Sequence, residues 1–230
     1  MPVWLVAFIP VAAVAIGAWI AAVKPPGKAI TSGVQHFAAG LVFAAAAAEI
    51  LPDLKHQGHT GWVLVGGVLG VIAMLVVRHF GERAKGGASL AVVTGVDVFV
   101  DGIVLGMAFA AGTRQGILLV IALTVEILFL GLSVSLAFSG SIRSIAKRVV
   151  VTTAIGLALP VGMALGYPAG QLPATWLAAL FAFALVALLY LVTEELLVEA
   201  HEGEEGPVVT AMFFAGFLAL LLLDELLVAG

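Results

Sequence analysis

Three acidic residues stand in the middle of long apolar stretches of the sequence. Asp97 and Asp101 lie four residues apart in the run Val-Asp-Val-Phe-Val-Asp-Gly, so a helix would present both carboxylates on one face. Glu126 lies near the middle of the next apolar segment. A charge at the centre of a bilayer costs on the order of 2.5–3.5 kcal/mol on insertion scales. The pattern therefore predicts that Asp97, Asp101 and Glu126 converge on a bound cation or on protons.

Acids buried in a membrane can also be compensated without a bound cation. A structural ion pair is disfavoured, because no lysine or arginine lies at a comparable depth in any apolar segment. A cluster of neutral carboxyl groups joined by hydrogen bonds remains an alternative. If a metal binds, carboxylate oxygens suit Mg²⁺, Mn²⁺ and Fe²⁺ and do not exclude Zn²⁺, so the ligand type constrains the ion only weakly.

The composition excludes a soluble globular domain. The chain has 230 residues, of which 63% are hydrophobic and 10% charged, and its mean hydropathy is +1.21. Soluble domains carry about 25% charged residues. The net charge of -4 gives no indication of a nucleic-acid partner, and the absence of cysteine excludes disulfides and thiolate metal ligands. These values predict an all-α polytopic protein of the lipid bilayer.

Eight segments are long enough to cross a bilayer core, which takes roughly 20 apolar residues in a helix. Their connections are short, so the sequence predicts a single membrane domain over residues 1–230. The predicted spans are 3–23, 31–54, 61–78, 88–112, 115–138, 148–168, 172–200 and 207–228.

The distribution of basic residues predicts the orientation. With the N-terminus outside, Lys55 and Arg114 fall in outer connections. The other eight lysines and arginines fall in inner ones: Lys24, Lys28, Arg78, Arg83, Lys85, Arg143, Lys147 and Arg148. Cytoplasmic loops carry the excess of such residues. We therefore expect an integral protein of the cell (inner) membrane with both termini on the outer side.

The second and seventh segments end in similar patterns. The second has Glu49, Asp53 and His56 where the seventh has Glu195, Glu199 and His201. With eight spans these two segments run in opposite directions, as an inverted-topology repeat requires. Spans 1–3 and 6–8 would be the repeats and spans 4 and 5 the centre, a 3+2+3 arrangement. Chance is the alternative, because acids are common at helix ends.

Polar residues at the ends of these two segments are candidate exit or entrance ligands for a cation. A solvated helix end explains them equally well. The inner-end candidates are His36, Glu194, Glu195, Glu199 and His201, and the outer-end candidates are Glu49, Asp53, His56 and His59.

Taken together, these motifs resemble the ZIP (Zrt/Irt-like) metal transporters, in particular the short bacterial branch. The run from His36-Phe-Ala-Ala-Gly40 to Glu49-Ile-Leu-Pro-Asp53 is similar to the second helix of that family. Asp97-Val-Phe-Val-Asp101-Gly102 resembles the fourth-helix motif, and Glu126 through Gly131-Leu-Ser-Val the fifth-helix motif. Ile155-Gly-Leu-Ala-Leu159-Pro160 and Glu194 through His201 resemble the sixth and seventh helices. The resemblance covers essentially the whole chain.

The resemblance implies which residues hold metal. Asp97, Asp101 and Glu126 stand at the first metal position of the family, as an all-carboxylate site without histidine. The ligands of the second, adjacent metal are replaced by Val98, Ile127, Leu130 and Leu159, which predicts that this second metal is absent. The loop between the third and fourth helices, long and histidine-rich in many relatives, shrinks to about residues 79–87.

The function implied is transport of a divalent metal such as zinc, manganese, iron or cadmium into the cytoplasm by alternating access, in a homodimer. A relative that binds metal or protons without transporting them is the main alternative. An intramembrane aspartyl hydrolase is a remote one, since Asp97 and Asp101 share one helix and no Gly-x-Gly-Asp element is present. The expectation is therefore a transporter and not an enzyme.

Overall fold

The computed structural model describes residues 3–52, 54, 60–83, 87–202 and 206–229, and over these residues it is all-helical. Eight of its helices are long and apolar enough to cross a membrane, which confirms the predicted number. These spans are Trp4–Val23 (α1), Lys28–Ala48 (α2), Thr60–Phe80 (α3), Ala91–Ala111 (α4), Thr113–Gly140 (α5), Ile145–Ala169 (α6), Ala174–His201 (α7) and Pro207–Leu227 (α8). Helical structure continues beyond five of these bounds: it begins at Val3 in α1, continues through Ile50 in α2, and covers Thr60–Arg83, Gly87–Ala111 and Pro207–Ala229 in α3, α4 and α8.

Two of the helices are interrupted three residues before a proline. In α1 the break falls at Ala7, ahead of Pro10, and in α6 at Leu157, ahead of Pro160. Proline has no N–H to donate to the carbonyl four residues earlier, and its ring clashes with that carbonyl. At the second break the chain tightens locally, with the Leu157 N–H donating to the Ala154 carbonyl at 3.3 Å.

Two other helices contain a π-helical segment at similar depths along their length. In α2 it covers Ala46–Ile50, and in α7 it covers Leu191–Leu196. Such segments insert one extra residue into the helical turn and are common at functional sites. In the second span, regular α-helix gives way to this π segment after Ala45, and α-helical residues follow it at Leu51 and Pro52, within the predicted span 31–54.

Four pairs of parallel helices pack closely through glycine. They are α1 with α5, α2 with α8, α3 with α7, and α4 with α6. A Cβ atom added at Gly17, Gly40, Gly66 or Gly162 would overlap a backbone carbonyl of the partner helix. Small residues allow backbones to approach in this way where lipid supplies no hydrophobic driving force.

These pairs assemble into two groups of four helices. The first group contains α1, α4, α5 and α6, and the second contains α2, α3, α7 and α8. Helices α3 and α8 bury little of their surface inside the protein, and their exposed leucines, valines and phenylalanines form an apolar exterior suited to lipid. The central helices α4 and α5 are well buried and carry the acidic residues.

Candidate cation site

The three acids of the middle spans come together in the structure. Asp97 and Asp101 lie one turn apart on α4, and Glu126 reaches them from α5. One oxygen from each carboxylate lies within 4.8 Å of the other two. The residues are 6%, 3% and 2% exposed, respectively. We call this set the carboxylate cluster.

Three of the six oxygens of the carboxylate cluster are buried without a hydrogen-bond partner among the described residues. Asp101 Oδ2, Glu126 Oε1 and Glu126 Oε2 are buried and have no partner among the described residues. Buried polar atoms in native proteins are paired in at least roughly 90% of cases, so each exception needs a physical reason. A bound cation would satisfy these oxygens, and so would protons shared among the three carboxyl groups.

Two arginines near the site bind groups outside the carboxylate cluster. Arg148 is buried at the end of α6 near the connections, where its guanidinium donates to the carbonyls of Ala22 and Ser135 at 3.1 and 3.5 Å. Arg78 on α3 forms an ion pair of 2.8 Å with Glu194 on α7, and both side chains are about half exposed. These contacts involve groups near the ends of the helices. None of these contacts involves the three acids at the centre.

A cavity of about 530 Å³ leads from the cluster to one face of the protein. Asp97 and Glu126 line its buried end, and exposed Glu194 and Glu199 line its other end. The cavity lies between the two groups of helices, with α4 and α5 on one side and α2, α3 and α7 on the other. Thr94, Ser133 and Tyr190 also line it. This wall gives a hydrated ion polar partners along the way to the cluster.

The opposite side of the cluster is closed by apolar packing. Leu105 and Met107 on α4 and Leu118, Leu119 and Leu123 on α5 are almost completely buried there. The space beside them, next to Val104 and Phe181, has a volume of only about 10 Å³. Among the described residues, the cavity at the carboxylate cluster therefore opens toward one face of the protein.

The residues at the predicted second metal position are apolar, and they lie in apolar surroundings. Val98, Ile127 and Leu159 are fully buried within the main hydrophobic core. Leu130 lines the cavity next to Phe129. None of these side chains supplies a metal ligand.

The structure separates the remaining predicted ligands into several positions. Glu194, Glu195 and Glu199 all line the cavity, and Glu199 accepts a hydrogen bond of 2.7 Å from Gln35 Nε2. His36 and His201 lie close to each other, with their ring centroids 5.0 Å apart, and neither lines the cavity. On the other face, Asp53, His56 and His59 and the side chain of Glu49 lie outside the described residues.

Several contacts at the site were not predicted. Gln35, Thr94, Ser133 and Tyr190 contribute to the cavity, yet polar residues in apolar segments are common and carry no ligand spacing. The ion pair of Arg114 on α5 with Asp224 on α8, at 2.5 Å, joins the two groups of helices on the closed side. Opposite charges near the ends of distant spans were the only available signal for it.

A comparison of the chain with models of known protein families matches none of them, and a comparison with curated protein sequences gives no match.

Proposed function

We propose that this protein moves a divalent metal cation across the membrane, with Asp97, Asp101 and Glu126 as the ion site. The observation that carries the proposal is the set of three buried carboxylates, within 4.8 Å of one another and with oxygens that lack donors. Burying carboxylates in a membrane protein is costly and typically marks an ion or proton pathway. The resemblance to ZIP transporters points to the same three residues.

The charge of the cluster sets the class of ion. Three ionised carboxylates bring a divalent ion to a net charge of about -1, which favours M²⁺ over a monovalent ion. Oxygen ligands accept Mn²⁺, Fe²⁺, Zn²⁺ and Cd²⁺ without selecting strongly among them. Apolar Val98, Ile127 and Leu159 beside the cluster support one metal at a time.

An inverted repeat of α1–α3 and α6–α8 is supported by two independent features of the fold. Exchanging α1 with α6, α2 with α7, α3 with α8, and α4 with α5 converts the four glycine-packed pairs into one another. The same exchange matches the π-helical segments Ala46–Ile50 and Leu191–Leu196. Transporters built from such repeats alternate between conformations open to opposite sides. The one-sided cavity corresponds to one of these conformations.

The orientation follows from charge. Lys24, Lys28, Arg143 and Lys147 lie at the face onto which the cavity opens. By the positive-inside rule this face is cytoplasmic, both termini are outside, and the cavity is the release route. Glu195 and Glu199 then lie along that route and bind the ion transiently on its way out.

The test is cation uptake into proteoliposomes that contain the purified protein. Mn²⁺, Zn²⁺, Fe²⁺, Cd²⁺ and Mg²⁺ are supplied in turn, and wild type is compared with Asp101→Asn and Glu126→Gln. Glu225→Gln is the matched control, because Glu225 is an exposed acid near the end of α8, away from the cluster. We expect saturable uptake in wild type and Glu225→Gln, and background uptake in the two cluster variants.

Two results would contradict the proposal. Undiminished uptake in the double variant Asp101→Asn with Glu126→Gln would remove the cluster from the transport path. Metal binding without uptake of any ion, in correctly inserted wild-type protein, would identify a non-transporting metal-binding relative. The homodimer implied by the resemblance is tested separately, by the mass of the protein–detergent complex in light scattering.

A further inference from the structure

Helices α2 and α7 are tied together near the face onto which the cavity opens. Ser32 Oγ donates a hydrogen bond of 2.6 Å to the Ala200 carbonyl, and Gln35 Nε2 donates one of 2.7 Å to Glu199. The next residue on α2 is His36, and its ring meets that of His201 at a centroid distance of 5.0 Å and an interplanar angle of 60°. The two histidines thus lie at a fixed contact between two helices.

Both imidazole rings use the same nitrogen for a hydrogen bond to backbone. His36 Nδ1 lies 2.9 Å from the Ser32 carbonyl, and His201 Nδ1 lies 2.5 Å from the Leu197 carbonyl. A carbonyl oxygen can only accept, so Nδ1 carries the proton and Nε2 presents its lone pair in each neutral ring. Histidines that bind metals are oriented by this kind of hydrogen bond.

The Nε2 atom of His36 is left without a partner. It is buried, the residue is 3% exposed, and no described residue donates to this nitrogen. A buried acceptor without a donor is energetically unfavourable, because it has lost its hydrogen bonds to water. A cation shared with the neighbouring imidazole would satisfy it.

The separation of the rings fits a shared ion. Two imidazoles that bind one tetrahedral ion through Nε2, with bonds of about 2.0–2.1 Å, place their ring centroids roughly 5 Å apart. The observed value is 5.0 Å. An edge-to-face contact between aromatic rings also gives a separation in this range, but it leaves His36 Nε2 unpaired.

We infer that His36 and His201 form a second cation site, separate from the carboxylate cluster and suited to borderline transition metals such as Zn²⁺. Imidazole nitrogen binds such ions in preference to Mg²⁺ and Ca²⁺. The pair belongs to the second group of helices, whereas the cluster belongs to the first. His201 is exposed and lines a surface groove with Val198 and Glu202, so this ring of the pair can be reached from solvent.

The test measures Zn²⁺ binding by the full-length protein in detergent, purified without a polyhistidine tag. All variants carry His56→Gln, His59→Gln and His79→Gln, so that His36 and His201 are the remaining histidines. They also carry Asp101→Asn and Glu126→Gln, which weaken the carboxylate cluster. We expect one Zn²⁺ to stay bound against a large excess of Mg²⁺. X-ray absorption at the zinc edge is expected to report two imidazole ligands.

In this background, His36→Gln and His201→Gln are each expected to weaken Zn²⁺ binding at least about tenfold. Loss of a hydrogen-bond partner of a metal ligand already costs about 10–100-fold, and each of these variants removes a ligand itself. His201 is exposed, so its replacement does not disturb the core, and unchanged circular dichroism checks the fold of both variants. Unchanged Zn²⁺ affinity in both variants, or a zinc spectrum without imidazole, would overturn the inference. Because the experiment measures binding with the cluster disabled, its result does not depend on whether the protein transports.

Discussion

The glycine contact between α4 and α6 provides a quantitative test of the packing. A methyl group added by Gly162→Ala would overlap the backbone carbonyl of Phe99. A backbone atom cannot rotate away as a side chain can, so the two helices must separate. Overpacking of this kind costs about 1–3 kcal/mol. Because α4 carries Asp97 and Asp101, the same displacement disturbs the carboxylate cluster.

The matched control is Gly61→Ala. Gly61 lies in the first turn of α3, and an added Cβ meets no atom of the described residues within 4 Å. Both variants gain the roughly 1 kcal/mol that alanine offers over glycine in a helix, so their difference isolates the overlap. For a chain of 150–250 residues, 1 kcal/mol corresponds to about 2–4 °C in Tm. We therefore expect Gly162→Ala to melt roughly 2–12 °C below Gly61→Ala.

The assay is thermal unfolding in detergent, followed by circular dichroism with and without Zn²⁺ or Mn²⁺. Gly162→Ala is expected to show both a lower Tm and a smaller rise in Tm on adding the ion. If Gly162→Ala melts at or above the temperature of Gly61→Ala, the close approach of α4 and α6 is refuted. A normal Tm rise with the ion in a destabilised variant would refute the link from this packing to the cluster.

Three further predictions use the same assay. Protons compete with the ion for the carboxylates, so the Tm rise caused by the ion should become smaller as the pH falls from about 8 to about 5. Asp101→Asn should flatten this pH dependence, and a Tm rise in wild type that does not change with pH would contradict the competition. Arg114→Ala removes the ion pair with Asp224 and should lower the free energy of unfolding by up to about 1 kcal/mol, as for other partly exposed ion pairs. A severalfold larger loss would show that this pair contributes more than a partly exposed pair does. Ser135→Ala removes a buried hydrogen bond of 2.9 Å to the Ala18 carbonyl and should cost about 0.5–1.5 kcal/mol, and an unchanged Tm would count against that bond.

Hydropathy and charge spacing predict the spans and the three central acids because both depend on local sequence. The spacing of Asp97 and Asp101 places them on one face of a helix whatever surrounds it. That Glu126 lies within 4.8 Å of them depends on how α4 and α5 pack. The sequence indicated this only through the cost of three acids in apolar segments without a basic partner, and not through a spacing.

The π-helical segments and the one-sided cavity have no local signature. Leu191–Leu196 and Ala46–Ile50 have the sequence pattern of ordinary helix, and their extra residue is decided by the helices packed against them. Likewise, Gln35 is one polar residue among several in its segment, and only the approach of α7 gives it Glu199 as a partner. Tertiary contacts decide such features, so they lie beyond sequence patterns.

The distribution of glycine contacts has a mechanical consequence. All four glycine-packed pairs lie inside one or the other group of helices, so each group is held by backbone in contact with backbone. The boundary between the groups contains the cavity and, at its closed end, the ion pair of Arg114 with Asp224. If one group slid past the other, every one of these glycine contacts would stay intact. The carboxylate cluster would then move as a rigid part of the first group. The glycine contacts of the described residues therefore stiffen each group internally and leave the boundary that contains the cavity without such contacts.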